Sequence, residues 1–301
     1  MPDRKIIYLI NPISGTKGKG IVKQIIRKRT EKEGIPFDIG ETDPLRKYAS
    51  LISRIAEEGF TDVVVCGGDG TVSAVAAALM GIDIRLGIVP MGSGNGLALA
   101  ARIPVNTNKA LDVVFAGQSR MIDGFYVNDR FSCMLCGMGF DALVAHDFAR
   151  QQRRGLLTYI KVAVKHFFSA RPYPFEITTA AGTFSTTAFF ICIANSNQFG
   201  NNFTIAPQAS LVDGLIDVVI VKKMNKMALP FSVIAQVTGM NGIQELSDFI
   251  DRRNIMYFQT PEVMISNPAN ALLHIDGDPV DTASRIHIKV VREAICLIHR
   301  F

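Results

Sequence analysis

The sequence predicts two domains of different fold class, an N-terminal α/β domain with a parallel sheet and a C-terminal antiparallel β-sandwich. Up to about residue 120, short and continuously apolar runs alternate with segments of helical period, which is the pattern of βα units around a sheet buried on both faces. Beyond residue 120, strand-like runs follow one another between Gly, Pro, Asn and Asp, as in antiparallel sandwiches. The expected domains are residues 1–120 and 121–291, and residues 292–301 can return to the first domain as a last strand.

The elements of the first domain follow from hydrophobic period and turn residues. Strands are predicted at Ile6–Ile10, Val63–Val65 and Arg85–Val89. The first helix ends at Gly34 and has its apolar face at Ile21, Val22, Ile25 and Ile26. The second opens at Asp43-Pro44 and ends at Gly59, with apolar residues Leu45, Tyr48, Ala49, Ile52, Ile55 and Ala56. Later helices are predicted over Val72, Val75, Ala76 and Leu79, and from about Asn95.

The second domain is predicted to contain mainly strands. Two helical stretches interrupt them, around 155–170 and 226–240. The predicted strands are Phe131–Cys136, Phe175–Thr179, Thr186–Ile193, Leu215–Val221, Glu262–Ile265, Ala271–Ile275 and Arg285–Val291, with a last strand at Ala294–His299.

The composition indicates a folded protein in a reducing compartment. Hydrophobic residues make up 48% of the 301 residues, and no uninterrupted apolar stretch approaches the roughly 20 residues that span a bilayer. The five cysteines are odd in number and lie mostly in apolar runs, so we expect a cytoplasmic protein. The formal net charge of +5 is compatible with anionic lipid surfaces or phosphorylated substrates. Nucleic-acid binding is not expected, because aromatic residues are not interleaved with the basic clusters.

Three glycine-rich turns follow predicted strands and precede predicted helices. In a parallel sheet such turns meet at the carboxyl edge, where main-chain amides and helix N-termini bind phosphate groups. Any one of them alone can be an ordinary tight turn, but three together favour a phosphorylated ligand. The motif GxxxxGK[ST] is absent from the sequence, so this is not a P-loop enzyme. The turns are Asn11-Pro12-Ile13-Ser14-Gly15, Gly67-Gly68-Asp69-Gly70-Thr71 and Gly92-Ser93-Gly94-Asn95.

With these turns, the chain resembles the diacylglycerol kinase and sphingosine kinase superfamily, including its bacterial soluble members. Two motifs of the second half also match, Asp213-Gly214-x-x-Asp217 and Asp276-Gly277-Asp278. The resemblance implies a nucleotide-binding domain of the NAD-kinase and phosphofructokinase type, followed by a β-sandwich that binds the lipid substrate. It also implies that ATP is bound by Asn11, Thr42, Gly67, Gly68, Asp69, Gly70, Thr71, Gly92, Ser93, Gly94 and Asn95. The sequence departs from the family pattern at Ser73, Ala74 and Gly96.

Several carboxylates are candidates for the chemistry, and each has a structural alternative. Asp69 is predicted to hold Mg²⁺ against the phosphates, or else to cap a helix that starts at Thr71. The resemblance places the catalytic base at Asp276, with Asp278 as the second choice, whereas the Asp-Gly pair alone predicts a hairpin turn.

A structural Mg²⁺ site is implied at Asp213 and Asp217, with main-chain carbonyls such as that of Leu215, and the alternative is an ordinary Asp-Gly turn. For Thr42, the alternative to ATP contact is capping of the helix predicted at Pro44.

These observations predict an ATP-dependent lipid kinase that transfers the γ-phosphate to a hydroxyl of diacylglycerol or of a sphingosine- or ceramide-like lipid. Two alternatives remain, a catalytically silent lipid-binding regulatory protein and an NAD kinase-like enzyme with a non-lipid acceptor. Ser73 and Ala74 are compatible with the first of these, but Asp69, Asp276 and the three glycine loops argue against it. The GSGN turn and the DGD motif argue against the second. The expected partner is a lipid at a membrane surface, approached peripherally and without a transmembrane segment. A homodimer is compatible with the sequence.

Overall fold

The structure is a computed structural model that describes residues 4–12, 19–151, 156–200, 203–222, 244–245 and 254–300. The chain forms two compact units, and the first comprises Met1–Asp123 together with Arg292–Phe301. The second unit comprises Gly124–Val291. The predicted boundary falls at residue 120, and the observed one follows Asp123.

The first unit is built on a parallel sheet, as the sequence predicts. Its strands lie in the order β2-β1-β3-β4, and the last strand of the chain continues the sheet, with Cys296 opposite Arg85 of β4. Every residue of β1 and β3 is buried, which explains why these runs are continuously apolar. The elements are β1 Ile6–Ile10, α1 Lys19–Lys32, β2 Phe37–Glu41, α2 Ala49–Glu58, β3 Asp62–Gly67, α3 Asp69–Leu79, β4 Arg85–Pro90, α4 Gly96–Ala100 and α5 Thr107–Ala116.

The prediction for the second helix was wrong at its start. Helix α2 begins at Ala49, not at Asp43-Pro44, and Leu45 is 73% exposed. The Asp43 carboxylate accepts a hydrogen bond from the Leu45 amide, and Arg46 follows with φ 57°. A residue in this left-handed conformation cannot continue a right-handed helix, so the segment before Ala49 is a turn.

The predicted apolar faces also need correction. Ile52 is partly exposed and Leu51 is buried in α2, while Ile21 lies on the exposed side of α1. Strand β2 and helix α5 were not predicted.

The second unit is a sandwich of two antiparallel sheets. One sheet has the order β15-β13-β10-β7-β17-β18. In the other, β19 pairs with β5 and with β16, and β8 and β9 follow β16. A core of apolar residues from both sheets lies between them, including Phe125, Met138, Ile193 and Ile265. The elements are β5 Ser119–Val127, β6 Arg130–Ser132, β7 Leu135–Gly139, α6 Phe140–Ala149, α7 Leu156–Phe167, β8 Tyr173–Thr179, β9 Gly182–Ala188, β10 Phe190–Ala194, β11 Gln198–Gly200, β12 Phe203–Thr204, β13 Ile216–Val221, β14 Gln244–Glu245, β15 Ile255–Thr260, β16 Glu262–Ser266, β17 Leu273–Ile275, β18 Asp278–Val280 and β19 Arg285–Ile298.

Two segments predicted as single strands are divided in the structure. The run Thr186–Ile193 breaks at Phe189, whose amide donates to the Val221 carbonyl while its own carbonyl accepts from the Phe140 amide. At Phe189 the chain passes from β9 in one sheet to β10 in the other. Similarly, Phe131–Cys136 is divided between β6 and β7.

Helix α7 occupies most of the predicted helix at 155–170, and the one predicted at 226–240 lies outside the described residues. None of the helices described is long and apolar enough to cross a membrane.

Candidate active site

The predicted phosphate loops begin at the carboxyl ends of three adjacent parallel strands, β1, β3 and β4. The Asn11 amide donates to the Cys66 carbonyl at 3.0 Å, and the Met91 amide donates to the Gly67 carbonyl at 2.8 Å. Hydrogen bonds therefore join the start of each loop to its neighbour at one edge of the sheet. Ser14 and Gly15 of the first loop lie outside the described residues.

The second and third loops touch through their main chains. A Cβ atom on Gly92 would lie 2.5 Å from the Gly68 Cα, and a Cβ on Gly68 would lie 3.0 Å from the Gly92 Cα. Side chains at either position would push the two backbones apart, so this approach requires glycine. Beside the contact, Asp69, Gly70 and Thr71 form the first turn of α3, whose amides are not all used within the helix.

Side-chain hydrogen bonds fix the shape of these loops. The Asn11 amide group donates to the Thr71 hydroxyl at 2.6 Å, which links the first loop to the second. Asn95 has φ 54°, and its side chain both accepts from the Gly92 amide and donates to the Gly92 carbonyl, each at 2.8 Å. These bonds close the third loop on itself, while Ser93 is exposed between them.

Asp69 binds the third loop. It is the first residue of α3 and Gly68 is the N-cap, so the alternative that Asp69 caps a helix starting at Thr71 was wrong. Its carboxylate accepts hydrogen bonds from the main-chain amides of Asn95, Gly96 and Leu97. Burial raises the pKa of this carboxyl to about 6, and these hydrogen bonds oppose the rise. The predicted Mg²⁺ role of Asp69 stays a prediction.

Thr42 lies beside the first loop and is 6% exposed. Its amide donates to the Ile10 carbonyl at 3.1 Å, immediately before Asn11. Because no helix starts at Pro44, the capping alternative for Thr42 was wrong.

In the second unit, Asp276 and Gly277 form the two-residue turn between β17 and β18. Their φ angles are 52° and 80°, and Ile275 pairs with Asp278 across the hairpin. The predicted hairpin is therefore present, with two central residues of positive φ as in tight hairpin turns. The Asp276 carboxylate accepts from the Ser132 hydroxyl at 2.7 Å and from the Leu135 amide at 3.2 Å, so its direction is fixed. Asp278 is half-buried at the start of β18.

The Asp213–Asp217 segment combines an Asp-Gly turn with a buried carboxylate. The Asp213 carboxylate accepts from the Leu215 amide at 3.0 Å, and Gly214 has φ 73°. Asp217 is fully buried, and its carboxylate accepts from the Tyr257 hydroxyl and the Gln259 amide group. Burial raises the pKa of Asp217, and the charge of Asp213 contributes to the rise.

Two neighbouring carboxylates of this kind fit a hard cation such as Mg²⁺, which would relieve their repulsion. In the described ranges no cluster of three or more Asp, Glu, His or Cys side chains could hold a metal, so a cation here would need carbonyl groups such as that of Leu215 as well.

Sequence reasoning missed several residues of the site. Ser132 orients Asp276. The buried His274 accepts a hydrogen bond from Gly277 of the turn and is itself bonded to the buried Asp141. Ser132 is 144 residues from Asp276 and Asp141 is 133 residues from His274, so no local signal in a single sequence connects either pair.

Two domain families match this chain. The diacylglycerol kinase catalytic domain family matches residues 5–127, and the YegS C-terminal NAD kinase beta sandwich-like domain family matches residues 135–299. A diacylglycerol kinase of Bacillus subtilis is 27% identical, over 92% of this chain and 90% of its own length. An uncharacterized protein of Synechocystis is 24% identical over 91% of this chain, which spans 65% of that relative's length.

A solved structure of a diacylglycerol kinase from Bacillus anthracis has the same fold, with a TM-score of 0.73 and 15% identity over 100% of this chain and 98% of that one. The predicted resemblance and fold class are confirmed. The chain belongs to the diacylglycerol kinase family, in the form that carries a YegS-type C-terminal domain.

Proposed function

We propose that this protein is an ATP-dependent lipid kinase that transfers the γ-phosphate of ATP to a lipid hydroxyl. The observation that carries the proposal is the main-chain contact between Gly68 and Gly92, beside the first turn of α3 at the carboxyl edge of the sheet. Close glycine backbones and an open helix N-terminus suit a chain of phosphate groups. Family membership supports the kinase activity, and the named diacylglycerol kinase of Bacillus subtilis supports a lipid acceptor.

In this proposal the residues of the first unit hold the nucleotide. Main-chain amides of the loops at Gly67–Thr71 and Gly92–Asn95 donate to phosphate oxygens. Asn11 positions the second loop through Thr71, and Asp69 positions the third loop through the amides that follow Ser93. Thr42 follows the end of β2, next to the first loop, and contacts the nucleotide there. These residues act by orientation, which is the main contribution of the protein in phosphoryl transfer.

The second unit supplies the proton acceptor. Asp276 accepts the proton of the lipid hydroxyl, because its carboxylate is held in one direction by Ser132 and Leu135. Bound Mg²⁺ would neutralise charge on the phosphates, with Asp69 as its ligand through water. Asp213, Asp217 and the Leu215 carbonyl would hold a second, structural Mg²⁺.

We further propose a cytoplasmic protein that associates peripherally with membranes while it is active. The net charge of +5 lowers the cost of approach to anionic headgroups. The acceptor class is diacylglycerol or a sphingosine- or ceramide-like lipid, presented at the membrane surface.

The test is transfer of radiolabelled γ-phosphate from ATP to lipids in mixed micelles with Mg²⁺, with the Asp69→Asn variant alongside. The panel contains diacylglycerol, monoacylglycerol, sphingosine, ceramide, phosphatidylglycerol and undecaprenol. We expect one lipid class to be labelled by the wild type and not by the variant. If ATP binds and no lipid is labelled, the proposal fails, and a silent regulator or a non-lipid acceptor replaces it.

Gly92→Ala is expected to weaken ATP binding about tenfold or more. The added Cβ would separate the second and third loops, and each lost amide–phosphate hydrogen bond costs about 1.5–3 kcal/mol. Titration calorimetry with ATP measures the affinity. Gly20→Ala is the matched control, because a Cβ at Gly20 on α1 meets nothing within 4 Å. Equal affinities of the two variants would show that the contact between the loops does not shape the nucleotide site.

A further inference from the structure

A buried acid–histidine pair lies behind the turn that carries the proposed base. The His274 Nε2 and the Asp141 Oδ2 are 3.3 Å apart, and the two side chains are 2% and 6% exposed. His274 is on β17, two residues before Asp276, and Asp141 is in the first turn of α6. Two polar groups buried this deeply require partners, and each supplies one to the other.

The strand next to His274 leaves space for this pair. Gly137 of β7 lies directly opposite His274 in the sheet. A Cβ on Gly137 would overlap the Asp141 carboxylate and would lie 2.7 Å from the His274 Nε2. No residue with a side chain fits at this position while the pair is intact.

The second nitrogen of the ring is bonded to the turn itself. The Gly277 amide donates to the His274 Nδ1 at 3.2 Å. A ring nitrogen that accepts a hydrogen bond carries no proton, so the hydrogen-bond pattern assigns the proton of the neutral ring to Nε2, which faces Asp141. Asp141 thus selects the tautomer in which His274 can accept from Gly277. One carboxylate oxygen of Asp141 is in turn bonded to the Ala142 amide at 2.8 Å.

Asp276 has φ 52°, a conformation that aspartate adopts in two-residue hairpin turns. Hydrogen bonds to neighbouring strands then fix how this turn is oriented. The Asp276 amide donates to the Leu135 carbonyl at 2.9 Å, and the Gly277 amide donates to His274. A change in the Gly277 peptide would rotate the Asp276 carboxylate away from Ser132.

We propose that Asp141 and His274 are positioning residues that hold the Asp276–Gly277 turn, and thereby the direction of the Asp276 carboxylate. The catalytic consequence rests on the proposed function of Asp276 as the base, whereas the structural link to Gly277 does not depend on it. The pair is not a proton relay for the reaction, since the hydrogen bond to the turn comes from a main-chain amide.

Two substitutions of His274 separate its contact with Asp141 from its contact with Gly277. In His274→Asn the amide oxygen can replace Nδ1 as the acceptor for Gly277, but the side chain is too short to reach Asp141. In His274→Gln the amide group can reach the position of Nε2 and keep the contact with Asp141, but the acceptor for Gly277 is lost. His274→Leu removes both contacts, and His287→Asn, at an exposed histidine bonded to Glu262, is the control.

We expect kcat and stability to separate in these variants. His274→Asn should keep kcat within about threefold of the wild type and unfold at lower urea concentration, because the second carboxylate oxygen of the buried Asp141 has lost its histidine partner. His274→Gln should unfold close to the wild type but lose about tenfold or more in kcat, with an unchanged KM for ATP. Reductions of kcat that follow only the loss of stability in both variants would overturn the positioning role.

Hydrogen exchange of the Gly277 amide tests the link without any activity. Labelling Asp at its carbonyl carbon and Gly at its nitrogen selects the Asp-Gly steps at 69–70, 123–124, 213–214 and 276–277 for NMR. The Gly277 amide should be protected in the wild type and in His274→Asn, and should exchange at least tenfold faster in His274→Gln. Equal exchange in the wild type and His274→Gln would overturn the inference. If the exchange behaves as expected and no lipid is phosphorylated by the wild type, the proposed function fails and the positioning of the turn stands.

Discussion

Replacing Asp276 with asparagine is expected to lower kcat for lipid phosphorylation about 100- to 10,000-fold, the usual contribution of a general base. Asparagine has the same shape, and its Oδ1 can still accept from the Ser132 hydroxyl and the Leu135 amide. The turn should therefore be preserved, and the change removes mainly the negative charge that accepts the proton. ATP binding and the unfolding midpoint should match those of the wild type. The measurement is the rate of phosphate transfer at saturating ATP and lipid.

Two further variants test whether the loss of kcat is specific to Asp276. Asp278→Asn alters the second carboxylate of the motif, which lies in β18 rather than in the turn, and should reduce kcat less than Asp276→Asn. Asp281→Asn changes an exposed carboxylate three residues further along and should leave kcat unchanged. Full turnover by Asp276→Asn together with inactivity of Asp278→Asn would transfer the role of base to Asp278.

The sequence was most informative where local pattern and tertiary structure coincide. Strands β1 and β3 are buried along their whole length, so their apolar runs identify a parallel sheet without further information. The glycine turns follow such strands, and their meeting at one sheet edge is a consequence of parallel topology. The Asp276-Gly277 pair also predicts its own hairpin, because both residues tolerate positive φ.

Other features depend on contacts between distant residues, and a single sequence does not contain them. Asp69 was expected to hold Mg²⁺ or else to cap its own helix, and nothing in the sequence indicates that its carboxylate accepts from the amides of Asn95, Gly96 and Leu97 at the start of α4. The start of α2 was misplaced because the left-handed Arg46 ends the turn, and arginine gives no signal for that conformation. The sequence contains five histidines, and only the packing of α6 against the sheet shows that His274 is the one that meets Asp141.

Asp62 is expected to make the largest single contribution of any charged group to the stability of the first unit. Its carboxylate is completely buried at the start of β3, between Arg4 and Arg85. The shortest distances are 3.2 Å to the Arg4 Nε and 2.8 Å to the Arg85 Nε, and the Thr61 hydroxyl donates at 2.8 Å. The same arginines donate to main-chain carbonyls at the end of α5 and at Gly117, so the carboxylate holds together groups that join β3, β4 and α5.

Asp62→Ala should lower the free energy of unfolding by about 3 kcal/mol, because it leaves two arginines close together without their shared carboxylate. The value is at the lower end for buried ion pairs, since both arginine side chains keep partial contact with water. Asp112→Ala is the control for an exposed ion pair: it breaks the 2.6 Å contact with Arg29, but Asp112 is 61% exposed and the cost should stay below about 1 kcal/mol. Urea unfolding followed by circular dichroism measures both.

Because the chain has two compact units, unfolding can occur in two steps. Asp62→Ala should lower the urea midpoint only of the step in which the first unit unfolds. Equal shifts for Asp62→Ala and Asp112→Ala would mean that burial of Asp62 adds nothing to its ion pairs. If Asp62→Ala lowered the midpoints of both steps, the second unit would depend on the first for its stability.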